Sequence, residues 1–87
     1  MEFERPVLDA AHRHTTGNRH ELEASEVCGC IYCLATFKAD AIERWLNEGP
    51  GTALCPECQI DSVLGSASGH PVGDPEFLLA MHASWFS

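Results

Sequence analysis

Basic residues are scarce in this chain: 5 Lys and Arg stand against 13 Asp and Glu, for a formal charge of −8. Arg5, Arg13, Arg19, Lys38 and Arg44 are scattered along the 87 residues without a cluster, so no tract is placed to hold a phosphate backbone, and the overall field repels one. Nucleic acid is not an expected partner. Long apolar runs are also missing, since none approaches the roughly 20 residues of a membrane span. The N-terminal Met1-Glu-Phe-Glu4 lacks the positive head and apolar stretch of a secretory signal. These absences predict a cytoplasmic chain with no membrane partner. There is no internal repeat and no low-complexity tract, and the Gly/Ser-rich stretch 65–73 lacks the lysine and spacing of a phosphate-binding P-loop.

What the chain does have, for its length, is cysteine. Cys30-Ile-Tyr-Cys33 and Cys55-Pro-Glu-Cys58 are separated by 21 residues, a spacing that brings four sulfurs to one tetrahedral Zn²⁺. A reducing cytoplasm disfavours lasting disulfides, and an odd total of 5 cysteines leaves one over. Metal ligation by Cys30, Cys33, Cys55 and Cys58 therefore explains two matched pairs better than bridging or a single redox-active pair does. An iron–sulfur centre is the competing occupant. Four thiolates around one dication would take the charge from −8 to −10. Size argues the same way, because a single small domain spanning 1–87 falls where a metal staple often supplements a modest core. Cys28, two residues before Cys30, is either a small buried hydrophobe or, on the sharper reading, a reactive thiol or a ligand that exchanges with Cys30.

Pattern reading predicts a small α+β domain of short helices around the metal site, with a small β-hairpin. Val7, Leu8, Ala10 and Ala11 suggest a helix over 6–13. Asn18 with Glu21 suggests a capping box for a second helix to about Ser25, with Leu22 inward. Gly29 is read as freeing the backbone of the first metal turn, whose amides donate to the sulfurs. Asp40 with Glu43, and Ile42, Trp45 and Leu46 at i, i+3, i+4, predict a third helix ending at Gly49-Pro50, with Phe37 beneath its start. Thr52–Leu54 reads as extended, and Ile60, Val63 and Leu64 as a strand or one helical turn. Residues 1–5 and 65–73 read as loose and as a surface loop. Asp74 then caps a final helix with Pro75 in its first turn, placing Leu78, Met81, His82 and Trp85 on one stripe beside Phe77.

Other groups invite chemical readings. His12, His14 and His20, with Glu21 and Glu23 nearby, are either solvated side chains or a second metal or catalytic cluster. Asp61 and the loop from Gly65 to His70 make another candidate site, in which the loop amides suit an anion, with His70 as a proton-transfer group and Asp61 orienting it. Ser62 or Ser68 would then be the nucleophile. His82 reads as a semi-buried core histidine, Trp45 and Trp85 as core or interface anchors, and an exposed Trp85-Phe86 pair would favour self-association or a partner groove.

The combination Cys28-Gly-Cys-Ile-Tyr-Cys33, Thr52-Ala-Leu-Cys-Pro-Glu-Cys58 and Ile60-Asp-Ser-Val-Leu-Gly65, with Ala11-His-Arg-His14 and Trp85-Phe86, resembles a family of small bacterial cytoplasmic proteins without an assigned activity. That pattern carries glycine where this chain has Gln59, which argues against a left-handed turn there. The zinc site resembles a treble-clef or zinc-knuckle (zinc-finger type) arrangement, with one pair in a tight turn and the other near the start of a hairpin or helix. The resulting expectation is a zinc-stabilised protein-interaction or regulatory module, its acidic surface steering a basic partner. The alternative is a small hydrolase or nuclease-like enzyme using His12, His14, Asp61 or His70 beside the zinc.

Overall fold

A computed structural model describes residues 3–86. Helix α1 (Arg5–His12) carries Pro6 in its first turn and turns Leu8 and Ala11 into the core; a 3₁₀ turn, Arg13–Thr15, leads to the one-turn helix α2 (Arg19–Glu23) with Leu22 buried. Strand β1 (Cys28–Cys30) lies at the centre of an antiparallel sheet, between β2 (Thr36–Phe37) and β5 (Val63–Gly65). Strands β3 (Trp45–Leu46) and β4 (Thr52–Ala53) form a separate ribbon. Helix α3 (Pro75–Trp85) closes the chain, with the Asp74 carboxylate accepting from the Glu76 amide at 2.9 Å. The fold is thus the expected α+β domain of short helices and a β-hairpin, β1–β2.

The sheet separates two packed regions. Gly29 pairs with Leu64 across β1 and β5, and on that face Leu64 meets Leu8, Ile31, Phe77, Leu78 and Met81 from the helical side. The opposite face carries Cys28, Cys30 and Val63 toward Leu22, Ile42, Ala53 and Cys55. This is the period-2 alternation of strand side chains. Gly29 serves the sheet rather than the metal turn: a Cβ there would lie 3.0 Å from the Val72 carbonyl oxygen and 3.1 Å from Leu78 Cδ2. Its smallness lets α3 and the preceding segment close onto β1.

Several expectations are corrected. No helix forms from Asp40 to Glu48. Ala39–Ala41 make one 3₁₀ turn, and Trp45 and Leu46 pair with Ala53 and Thr52. An isolated helix of two turns repays its nucleation poorly, whereas the extended path pairs the backbone with β4 and places the Arg19 guanidinium 4.6 Å over the Trp45 ring. Ile42 reaches the core by either route and is buried. The Asn18–Glu21 capping box is also absent, since Asn18 is spent elsewhere. Its Nδ2 donates to the carbonyls of His14 and Val63, both at 2.8 Å, and its Oδ1 accepts from the Ala53 amide. One buried amide thereby ties the N-terminal segment to both sheets.

Of the first five residues, Met1 and Glu2 lie outside the described ones, while Phe3 packs edge-on against Phe77 at 5.3 Å and Arg5 opens α1. The 65–73 stretch is only partly surface: Gly65 ends β5 in the core, and Val72 is fully buried.

Candidate metal centre

The two Cys-x-x-Cys pairs occupy tight turns with the same backbone plan. In the first, the Cys30 amide donates to Ala35 O at 2.9 Å, the Leu34 amide to Cys30 O at 3.0 Å, and the Tyr32 amide to Cys30 Sγ at 3.3 Å. In the second, the Cys55 amide donates to Ile60 O at 2.9 Å, the Gln59 amide to Cys55 O at 2.8 Å, and the Glu57 amide to Cys55 Sγ at 3.3 Å. Each turn closes on a left-handed residue directly after its second cysteine: Leu34 at φ 69° and Gln59 at φ 64°. The expectation against a left-handed Gln59 is therefore overturned. The three hydrogen bonds of this turn override the local preference for glycine.

The turns bring Cys30 Sγ to 3.6 Å from Cys58 Sγ and Cys33 Sγ to 3.7 Å from Cys55 Sγ, with all four sulfurs within 4.8 Å of one another. A tetrahedral ion with Zn–S bonds of about 2.3 Å has sulfur–sulfur edges of about 3.8 Å. Four thiols at this spacing, with amide donors already aimed at Cys30 and Cys55, fit a structural zinc site, and among the described residues they form a cluster able to hold a metal ion. Both pairs lie in turns, and the chain after Cys58 passes through left-handed Gln59 and a bend at Asp61 before it enters β5.

Electrostatics single out Cys30. Burial raises its thiol, but hydrogen bonds from Ser62 and from the Cys33 and Tyr32 amides bring it below its ordinary 9.0. The Ser62 hydroxyl, itself buried, lies 3.0 Å from Cys30 Sγ. Burial dominates at Cys55 and Cys58 and pushes both upward, so these two thiols gain most from a bound cation. Cys28 stays outside the cluster: it faces Leu22 in the core, and burial raises its thiol to about 11. This is the small buried hydrophobe of the two readings.

The other candidates are distributed unevenly. His14 and His70 meet, with ring centres 5.5 Å apart, and Glu21 holds His14 Nδ1 at 2.9 and 3.1 Å through its two carboxylate oxygens. His12 leaves this group and stacks on Trp85 at 4.2 Å, because it ends α1 while His14 lies in the following 3₁₀ turn. His20 is exposed on α2. Asp61 is exposed, and the charged groups that act on His70 are His14 and Glu21. His82 lies 3.3 Å from the Ile31 carbonyl at the helix–turn junction. Sequence reading missed Ser62 as a thiolate donor and Glu21 as the brace of His14. It also missed that the first metal turn exposes Tyr32 and Leu34.

Comparison with known protein families, with curated proteins and with solved structures finds no match. The family resemblance accordingly rests on its motifs alone, and what the structure carries forward from it is the four-cysteine cluster.

Proposed function

We propose that this chain is a zinc-stabilised cytoplasmic interaction or regulatory module, in which Zn²⁺ on Cys30, Cys33, Cys55 and Cys58 holds an aromatic surface in place for a protein partner. Four thiolates select a thiophilic ion and leave no position open for water or substrate, so the metal's role is structural. The paired turns favour a double-knuckle arrangement over a treble clef. The motif resemblance would place the chain among small bacterial proteins.

The observation that carries this reading is the contrast between the two turns. With the same backbone plan, the second turn presents Glu57 and Gln59 to solvent, whereas the first presents Tyr32 and Leu34, 44% and 39% exposed. The turn geometry does not require apolar residues there. Tyr32 continues into Phe86, ring centres 5.0 Å apart and edge-on, and both rings border His82. Contiguous exposed aromatics on an acidic molecule suit a partner with apolar anchors and a basic rim. The enzyme alternative draws on the meeting of His14 and His70. It is the weaker reading because His12 and Asp61 stand apart from that pair.

A photo-reactive residue substituted for Tyr32 in the zinc-loaded chain is expected to cross-link a partner or a second copy, and Phe86→Glu to abolish the product. The same probe at Glu57 should give none. Equal yields at the two positions would remove the basis for this reading.

A further inference from the structure

The three side chains His14, Glu21 and His70 come from separate segments: a 3₁₀ turn, α2 and the loop after β5. We propose that His14 and His70 form a second metal site, for a divalent transition ion that favours imidazole nitrogen, with Glu21 as the carboxylate that orients the His14 ring. This inference is independent of the cysteine cluster and of the interaction reading.

Glu21 accepts from His14 Nδ1, which fixes the proton on that nitrogen and leaves Nε2 as the ligating atom. A carboxylate behind a ligating histidine is a common second shell of metal sites, where it sets the tautomer and raises ligand basicity. Two imidazoles sharing a tetrahedral ion, each nitrogen about 2.0–2.1 Å from it, have ring centres roughly 5 Å apart. The observed separation is 5.5 Å, with the planes inclined at 65°.

Both rings are held in place. Glu21 holds the His14 ring through Nδ1, and His70 stacks on core Phe77, centres 6.0 Å apart and planes 10° from parallel. Burial and the adjacent His14 keep His70 below its ordinary 6.5, which favours the neutral ring that binds metal. His14 and Glu21 are each part-exposed, at 36% and 27% of their side chains, so an ion has access from solvent. Water or a further ligand would complete the shell, as in open sites. The site therefore differs in kind from the closed sulfur cage.

Ni²⁺ is the suitable probe, because it prefers imidazole and, unlike Cu²⁺, does not oxidise thiolates. Titrated into the zinc-loaded chain and followed by NMR, it is expected to broaden first the ring protons of His14 and His70. His70→Gln should remove this effect. Glu21→Gln, which keeps both rings, should weaken binding by about 10–100-fold. Broadening centred on His12, His20 or His82, or binding unchanged in His70→Gln and Glu21→Gln, would overturn the proposal. The amide spectrum of each variant before nickel is added reports whether the fold is retained, and Glu21→Gln supplies the test if His70→Gln unfolds.

Discussion

Gln59→Gly is expected to stabilise the protein, although it removes a side chain and adds a flexible residue. Gln59 sits at φ 64°, where an L-residue brings its Cβ close to a carbonyl oxygen. That conformation costs about 1–2 kcal/mol, which glycine avoids. Against this, glycine makes the unfolded chain freer by about 0.4–1 kcal/mol. The Gln59 side chain contributes little else, because it is exposed and its one hydrogen bond, to Pro56 O, is long at 3.4 Å. The net gain is about 1 kcal/mol, which in a domain of this size raises the melting temperature by about 4–8 °C. The assay is thermal unfolding of the metal-loaded chain at fixed excess zinc, so that linkage to the ion is equal for all variants. Gln59→Val, β-branched and least tolerant of that region, should melt lower than the parent. If glycine lowered the melting temperature and valine left it unchanged, residue 59 would not be left-handed, and the shared plan of the two metal turns would be wrong.

Ser62→Ala removes a buried hydroxyl from Cys30 Sγ and is expected to weaken zinc binding by about 10–100-fold, read by competition with a chromophoric chelator; unchanged affinity would show that the hydroxyl does not serve the thiolate. Cys28→Ala should keep full metal content and cost about 1–2 kcal/mol in denaturant unfolding, whereas loss of the ion would make Cys28 a ligand. His70, held below its ordinary 6.5, binds a proton less readily folded than unfolded. Its contribution to stability is therefore complete above that value and is lost as pH falls through the folded pKa. His70→Gln should accordingly lose less stability than the parent between about pH 7.5 and about pH 5.5, and an equal loss would exclude His70 as a source of the slope.

The four-cysteine cluster was legible because its signal is local: a Cys-x-x-Cys pair defines its own turn, and the second pair repeats it. The final helix was legible for the same reason, with Asp74 and Pro75 marking its start. The false helix from Asp40 shows the limit of such reading. Ile42, Trp45 and Leu46 have helical spacing, but that spacing records which residues are to be covered and not what covers them. Arg19 over Trp45, and Thr52 across from Leu46, are contacts between segments that the pattern does not contain. Asn18 misled in a similar way, since its capping potential was real but one local and two tertiary partners outcompeted the helix end. The approach of His14 to His70 depends on how α2 and β5 pack, and no local rule reaches across those 55 intervening residues. The contrast between Tyr32 and Glu57 was available in the sequence once the two turns are laid side by side. Its meaning required the exposure of both.

Native mass spectrometry of the purified full chain, read alongside its amide NMR spectrum, is the most direct test of a sulfur-bound zinc ion as the scaffold. The expected result is one Zn²⁺ per folded chain at the Cys30, Cys33, Cys55 and Cys58 cluster, with both the ion and the dispersed spectrum lost in Cys33→Ser and Cys58→Ser. A dispersed, cooperative spectrum from a chain that carries no metal would contradict it.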